Sequence, residues 1–86
     1  MQQFVYVIRD SLGIHARPAG MLTKLAKSFE NTLITIECRG HSVKATQLLK
    51  LMGLGAKQGD KITITIDGPN ESEAVSTMQK FFSENL

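Results

Sequence analysis

The segment KITITID, residues 61–67, alternates apolar and polar side chains without a break. In an extended chain Ile62, Ile64 and Ile66 fall on one face, and the threonines between them fall on the other. Strands with one apolar and one polar face are typical of an antiparallel sheet that is covered on one side only. The segment therefore predicts a sheet packed against a single layer of helices, which makes an α+β two-layer domain.

The rest of the chain supplies the neighbours of this strand. Three more extended runs precede it, namely FVYVI (4–8), TLITIEC (32–38) and HSVK (41–44), the last two joined by a turn at Arg39-Gly40. Apolar residues at helical spacing begin at Pro18 and occur again over 47–52, where they predict a short helix. A third helical pattern follows Asn70, and Asn70 together with Glu73 resembles a capping box. The predicted order is β-α-β-β-α-β-α. The pattern leaves the order of strands in the sheet open, including a rival βαββαβ arrangement.

Length and composition limit the class of protein. The chain has 86 residues, 42% of them hydrophobic, which predicts one domain over 1–86 with a modest core. A formal charge of +2 without a run of basic residues does not imply a nucleic-acid partner. A single cysteine and the lack of a signal peptide or a long apolar stretch favour a cytoplasmic protein without membrane insertion. Cys38 and His41 are too few to close a metal site, so we expect neither a metal nor a cofactor.

The segment GIHARPAG, residues 13–20, places a histidine just before a predicted helix start. Pro18 is tolerated in a first helical turn, where the free backbone N–H groups of Ala16 and Arg17 and the helix dipole favour an anion. The imidazole of His15 can attack phosphorus near neutral pH, and the Arg17 guanidinium matches phosphoryl oxygens. The pattern predicts a transient phosphohistidine, although a histidine beside a turn also occurs as a solvated or capping residue.

Two surface features accompany this site. Arg17, Gly20, Lys24 and Lys27, called here the basic track, share one face of the first predicted helix. The track is either a docking surface for acidic partners or an ordinary solvated face. The short helix carries more apolar side chains than it can bury, so we expect Leu51 and one neighbour in the core and part of the remainder exposed.

The segment GIHARPAG resembles the active-site pattern, G-hydrophobic-H-x-R-P-A, of the HPr family of phosphocarriers in the bacterial phosphoenolpyruvate-dependent sugar phosphotransferase system. The resemblance covers the whole chain, including LMGLGAKQG (51–59) and KITITIDG (61–68). It implies an open-faced β-sandwich of four antiparallel strands with three helices on one face. It also implies a monomer in which His15, assisted by Arg17, accepts a phosphoryl group from enzyme I and donates it to sugar-specific IIA domains. Transcriptional regulators are further candidate partners, and the implied partner contacts are Gly20, Lys24, Lys27, Leu48, Leu49 and Met52.

Other functions stay open at this point. The fold also serves regulatory protein-binding modules, which often lose the histidine, and carriers of a parallel nitrogen-related phosphorelay. A small nucleic-acid-binding domain would need an aromatic stacking platform, for which Tyr6 is the one loose candidate. In relatives under kinase control a serine opens the second helix, but the matching residue here is Gln47. We therefore expect no serine-type control, with Thr46 as a structural cap of that helix.

Overall fold

The computed structural model describes the whole chain, residues 1–86. Its elements follow the predicted order: β1 (Gln2–Val7), α1 (Ala16–Lys27), β2 (Leu33–Cys38), β3 (His41–Lys44), α2 (Leu48–Met52), β4 (Lys61–Asp67) and α3 (Glu71–Asn85). None of the helices is both long and apolar enough to cross a membrane.

The four strands form one antiparallel sheet in the order β1-β4-β2-β3. This arrangement settles the strand order that the sequence pattern left open. The alternating strand β4 lies inside the sheet, with Phe4 opposite Ile64 on one side and Ile36 opposite Ile64 on the other. Strands β1 and β3 form the two edges.

The core lies on one face of this sheet. Ile62, Ile64 and Ile66 of β4 have no exposed surface, as the alternation predicts. All three helices contribute buried side chains to the same cluster, which confirms the predicted α+β fold with helices on one face. The opposite face is open: Val5 and Val7 of β1 are 54% and 51% exposed. The chain is thus an open-faced sandwich, and its loops meet at the ends of the strands.

Three details of the sequence analysis need correction. Helix α1 begins at Ala16, two residues before Pro18, so the proline lies in the third position of the first turn. The predicted capping box of α3 is wrong, because the Asn70 side chain makes no capping hydrogen bond. Instead, the Glu71 carboxylate accepts a bond from the Gly68 N–H at 3.3 Å. Gly68 lies before the helix, so this bond holds the turn that leads into α3, while the negative charge of Glu71 in the first turn is favoured by the helix dipole.

The predicted cap of α2 is also wrong. The residue at the N-cap position is Gln47, whose side chain makes no capping hydrogen bond. Thr46 precedes that position, and its hydroxyl oxygen accepts no hydrogen bond from the first turn of the helix. The helix is instead held by packing, because Leu51 is fully buried.

Candidate functional site

His15 is the N-cap residue of α1, in an extended conformation with φ −100° and ψ −178°. An N-cap side chain commonly accepts a hydrogen bond from the first turn, but the imidazole makes no such bond. The side chain is 35% exposed. Both observations argue against a purely capping histidine and leave the ring available to react.

The loop that carries His15 is fixed by a close backbone approach at Gly13. Gly13 has φ +68°, and a Cβ atom there would lie 2.8 Å from the Lys57 Cα and closer still to the Ala56 carbonyl oxygen. The adjacent Ile14 N–H donates to that same oxygen at 3.1 Å. Only glycine combines this backbone conformation with this contact. The approach holds the histidine loop against the segment that follows α2.

That supporting segment is itself clamped by a side chain from the β2–β3 turn. Arg39 donates to the Asp60 carboxylate at 2.5 Å and to the Gly55 carbonyl at 2.8 Å. The Lys57 N–H donates to the same Asp60 oxygen at 2.8 Å. The Lys57 bond first, and then the Arg39 guanidinium, hold the pKa of Asp60 below its ordinary value. Arg39 was predicted only as a turn residue, because nothing in the local sequence shows that its side chain reaches Asp60 and Gly55.

The first turn of α1 offers unoccupied donors next to His15. The N–H groups of Ala16 and Arg17 have no hydrogen-bond acceptor in the protein, and Pro18 has no N–H to offer. The Arg17 side chain is exposed and makes neither an ion pair nor a hydrogen bond. Two free backbone donors therefore lie at the helix start that His15 caps, and an unpaired guanidinium lines the same cavity as the imidazole. Such an arrangement favours an anion.

A cavity of about 300 Å³ opens beside the imidazole. Its walls include Arg17 and Met21 of α1, together with Glu84 near the end of α3. Asp10 also lines it, and its Oδ2 lies 3.8 Å from the Nε2 of His15. Asp10 was not among the site residues predicted from the sequence. No sequence signal showed that its carboxylate faces the histidine, because that contact depends on how the loop folds back.

The basic track lies along α1 as the spacing predicts. Lys24 and Lys27 are exposed, and neither makes an ion pair within the chain. Gly20 is half-buried, and a Cβ built on it would meet nothing within 4 Å. The track therefore presents unneutralised positive charge and a shallow gap at Gly20, both directed at solvent.

Helix α2 adds an apolar patch next to the basic track, since α1 and α2 pack against each other. Leu48 and Met52 are each 38% exposed and Leu49 is 84% exposed, whereas Leu51 is fully buried. These values confirm that Leu51 is a core residue and that part of the apolar surface is exposed, but the expected second core residue is absent, because the other three side chains all keep substantial exposed surface. We call Leu48, Leu49 and Met52 the apolar patch.

Comparison with known proteins agrees with this geometry. A family model described as the PTS HPr component phosphorylation site matches residues 2–84. The phosphocarrier protein HPr of Mycoplasma genitalium is 36% identical over 85 residues, which cover 99% of this chain and 97% of that protein. The crystal structure of HPr-C-His from Thermoanaerobacter tengcongensis has a TM-score of 0.90 at 28% identity, covering 96% of this chain and 92% of that one. A structure from the same organism described as an HPr dimer has a TM-score of 0.68 at 29% identity, with 94% and 98% covered.

An α+β sandwich that displays a histidine at a helix start, among free anion donors, defines the class of small histidine phosphocarriers. Within that class the chain belongs to the HPr family, and its role is that of a phosphocarrier in a phosphotransferase system.

Proposed function

We propose that the chain accepts a phosphoryl group on His15 from enzyme I, which takes it from phosphoenolpyruvate, and donates it to sugar-specific IIA domains. The observation that carries the proposal is the uncapped imidazole of His15 beside the acceptor-free N–H groups of Ala16 and Arg17. The proposal treats residues 1–86 as one carrier unit that works in the cytoplasm as a monomer.

The chemistry needs little from the carrier beyond His15. A ring nitrogen lone pair forms a bond to phosphorus, while the bond between phosphorus and the donor breaks and the donor keeps that electron pair. The incoming group brings about two negative charges, which the helix start and the free Arg17 guanidinium both favour. The site is open rather than enclosed, so these contacts stay weak enough for the group to be passed on.

The docking surface has two parts with different physical roles. Positive charge on Lys24 and Lys27 raises the rate of encounter with acidic partners, since neither charge is neutralised within the chain. The apolar patch supplies a small contact area, and a small area keeps release fast. Such a surface suits a carrier that must exchange among several partners.

The test is incubation with enzyme I and labelled phosphoenolpyruvate, followed by acid and base treatment. We expect label that is acid-labile and base-stable in the native chain, and none after His15→Ala. His41→Ala is the matched control, because His41 is exposed on the edge strand β3, outside the proposed site. Label that survives His15→Ala, or is lost with His41→Ala, would refute the assignment.

Arg17 has its own test. Arg17→Ala removes a charge-assisted contact worth about 1.5 to 3 kcal/mol, so transfer should slow roughly 10- to 100-fold with the fold intact. Arg17→Lys should recover only part of the rate, because the ammonium lacks the fork of donors. Equal rates for the native chain and Arg17→Ala at limiting enzyme I would exclude the guanidinium from the transfer step.

Gln47 bears on regulation of the proposed carrier. The Gln47 side chain at the start of α2 has no hydroxyl group to accept a regulatory phosphate, so the apolar patch stays available for docking. Thr46 is the one neighbouring hydroxyl, and it is half-buried. We expect no modification on incubation with ATP and a regulatory kinase of the family. Acid-stable phosphate at Thr46 that blocks transfer to His15 would overturn this expectation.

A further inference from the structure

Asp10 faces the imidazole from the beginning of the same loop. Its Oδ2 lies 3.8 Å from the Nε2 of His15, and its side chain is 29% exposed. His15 is its one basic neighbour at ion-pair distance, since Arg17 lines the same cavity but forms no ion pair. A carboxylate therefore lies close to one nitrogen of the ring, Nε2, in a cavity that both residues line.

The orientation of this carboxylate is fixed by two other hydrogen bonds. Oδ1 accepts the Leu12 N–H at 2.8 Å, which is a turn bond typical of aspartate. The Asp10 backbone N–H donates to the Leu86 carbonyl oxygen at 2.9 Å, so the loop is also tied to the end of α3. With Oδ1 occupied and the backbone held, Oδ2 is the oxygen that remains for His15.

We propose that Asp10 is a positioning residue that selects the reactive tautomer of His15, an inference that rests on the proposed phosphoryl transfer. Oδ2 accepts the proton carried on Nε2, and Nδ1 keeps the lone pair that attacks phosphorus. A distance of 3.8 Å exceeds a hydrogen bond, and such contacts in unliganded sites shorten in the reacting complex. The carboxylate thus does for this ring what a buried aspartate does for the general-base histidine of a hydrolase.

The balance of the step explains why the carboxylate helps. The Nδ1 lone pair forms the bond to phosphorus, and the donor leaves with the electron pair of the bond that breaks. The ring keeps its Nε2 proton and gains positive charge, which the Asp10 carboxylate faces. On delivery to the next acceptor, the nitrogen–phosphorus bond breaks and its electron pair returns to Nδ1. No further reactant is required.

Asp10→Asn provides a sharp test because only one of its orientations preserves the turn. The asparagine oxygen must take the place of Oδ1 to accept the Leu12 N–H. Its amide nitrogen then faces Nε2 and can only donate, which favours the tautomer with the proton on Nδ1. The turn survives, but the tautomer preference reverses. A merely structural role of Asp10 would leave this variant unchanged.

The first readout is the tautomer population, measured by ¹⁵N NMR at about pH 9, where an ordinary histidine is neutral. In the native chain we expect a higher Nε2–H fraction for His15 than for the exposed His41, which serves as an internal reference. In Asp10→Asn the fraction for His15 should fall below that of His41. Equal fractions for the two histidines of the native chain would overturn the proposal, even if every variant failed to fold.

The second readout is the rate of transfer from phosphorylated enzyme I. We expect Asp10→Asn to slow it at least about tenfold, which is less than the roughly 100-fold or more lost with a group that transfers a proton itself, because Asp10 only positions the ring. Glu84→Gln is the charge control, because Glu84 lines the same cavity and forms no ion pair with His15. Equal slowing in both variants without a tautomer change would refute the proposal. Failure of the native chain to take up label would refute the proposed function instead, while the NMR readout still decides the role of Asp10.

Discussion

Gly13→Ala tests why the histidine loop requires glycine at this position, which has both a positive φ and a close backbone contact. The substitution forces an L side chain into a backbone with φ +68°, and it places a methyl group against the backbone of Ala56 and Lys57. Gly40→Ala is the matched control. Gly40 has φ +83°, but a Cβ there would meet nothing within 4 Å. Only the first variant combines strain with overlap.

The magnitudes follow from these contacts. The left-handed conformation costs alanine about 1 to 2 kcal/mol at either position. A smaller unfolded-state entropy offsets about 0.4 to 1 kcal/mol of that cost in both variants. At Gly13 the overlap adds about 1 to 3 kcal/mol. Loss of the bond from Ile14 N–H to Ala56 adds about 1 kcal/mol. The two free energies of unfolding should therefore differ by about 2 to 4 kcal/mol, with Gly13→Ala the less stable.

Urea unfolding followed by circular dichroism measures this difference. With a slope near 1 kcal/mol per molar urea, the midpoints should differ by about 2 to 4 M. We also expect Gly13→Ala to reduce phosphorylation of His15 more than its loss of folded protein explains, since the histidine loop must move away from Ala56. Equal midpoints for the two variants would show that the loop moves away from Ala56 at little cost in free energy. Gly13 would then not fix the position of His15.

Three further predictions concern stability away from the histidine. Thr23→Val should stabilise the fold by about 1 kcal/mol, since the buried Thr23 hydroxyl has no hydrogen-bond partner, while Thr23→Ser should not; thermal melting checks both. Leu51→Ala should lower the free energy of unfolding by about 2 to 5 kcal/mol, whereas Leu49→Ala should change it by no more than about 0.5 kcal/mol and weaken only partner binding; urea unfolding checks both. The pKa of Asp60 is lower in the folded chain than in the unfolded chain. Asp60 therefore contributes its full stabilisation of the fold above its unfolded pKa of about 3.9, and this stabilisation is lost as the pH falls through the lower folded pKa. Asp60→Asn should therefore lose less stability in acid than the native chain in urea titrations below about pH 4, and an equal loss would contradict the role of the clamp.

Some of the site could be predicted because it depends on residues close together in the chain. Pro18 indicates the start of a helix, and the positions of His15 and Arg17 relative to that start follow directly. The exposure of Leu49 and the burial of Leu51 follow from a helix too short to bury four large apolar side chains. Each of these inferences uses the geometry of one or two helical turns, which local sequence specifies.

The capping errors have a different origin. Asn70 and Thr46 are residue types that cap helices well, but neither makes a capping bond here. At α3 the first turn is fixed by Glu71, whose carboxylate accepts the Gly68 N–H of the preceding turn and pairs with the distant amino group of Met1 at 2.9 Å. A cap preference of about 1 kcal/mol is small enough for such a tertiary contact to override it.

The alternation of KITITID determined that a one-sided sheet would form, because a strand with three buried isoleucines must cover that face. The segment GIHARPAG determined that a histidine would stand at a helix start. Only the tertiary structure decided that β4 lies between β1 and β2, that Gly13 rests on Ala56, and that Asp10 faces His15. The physical reason is sequence separation: periodicity reports which face of one element is apolar, whereas strand order and loop contacts depend on which surfaces meet when distant segments pack together.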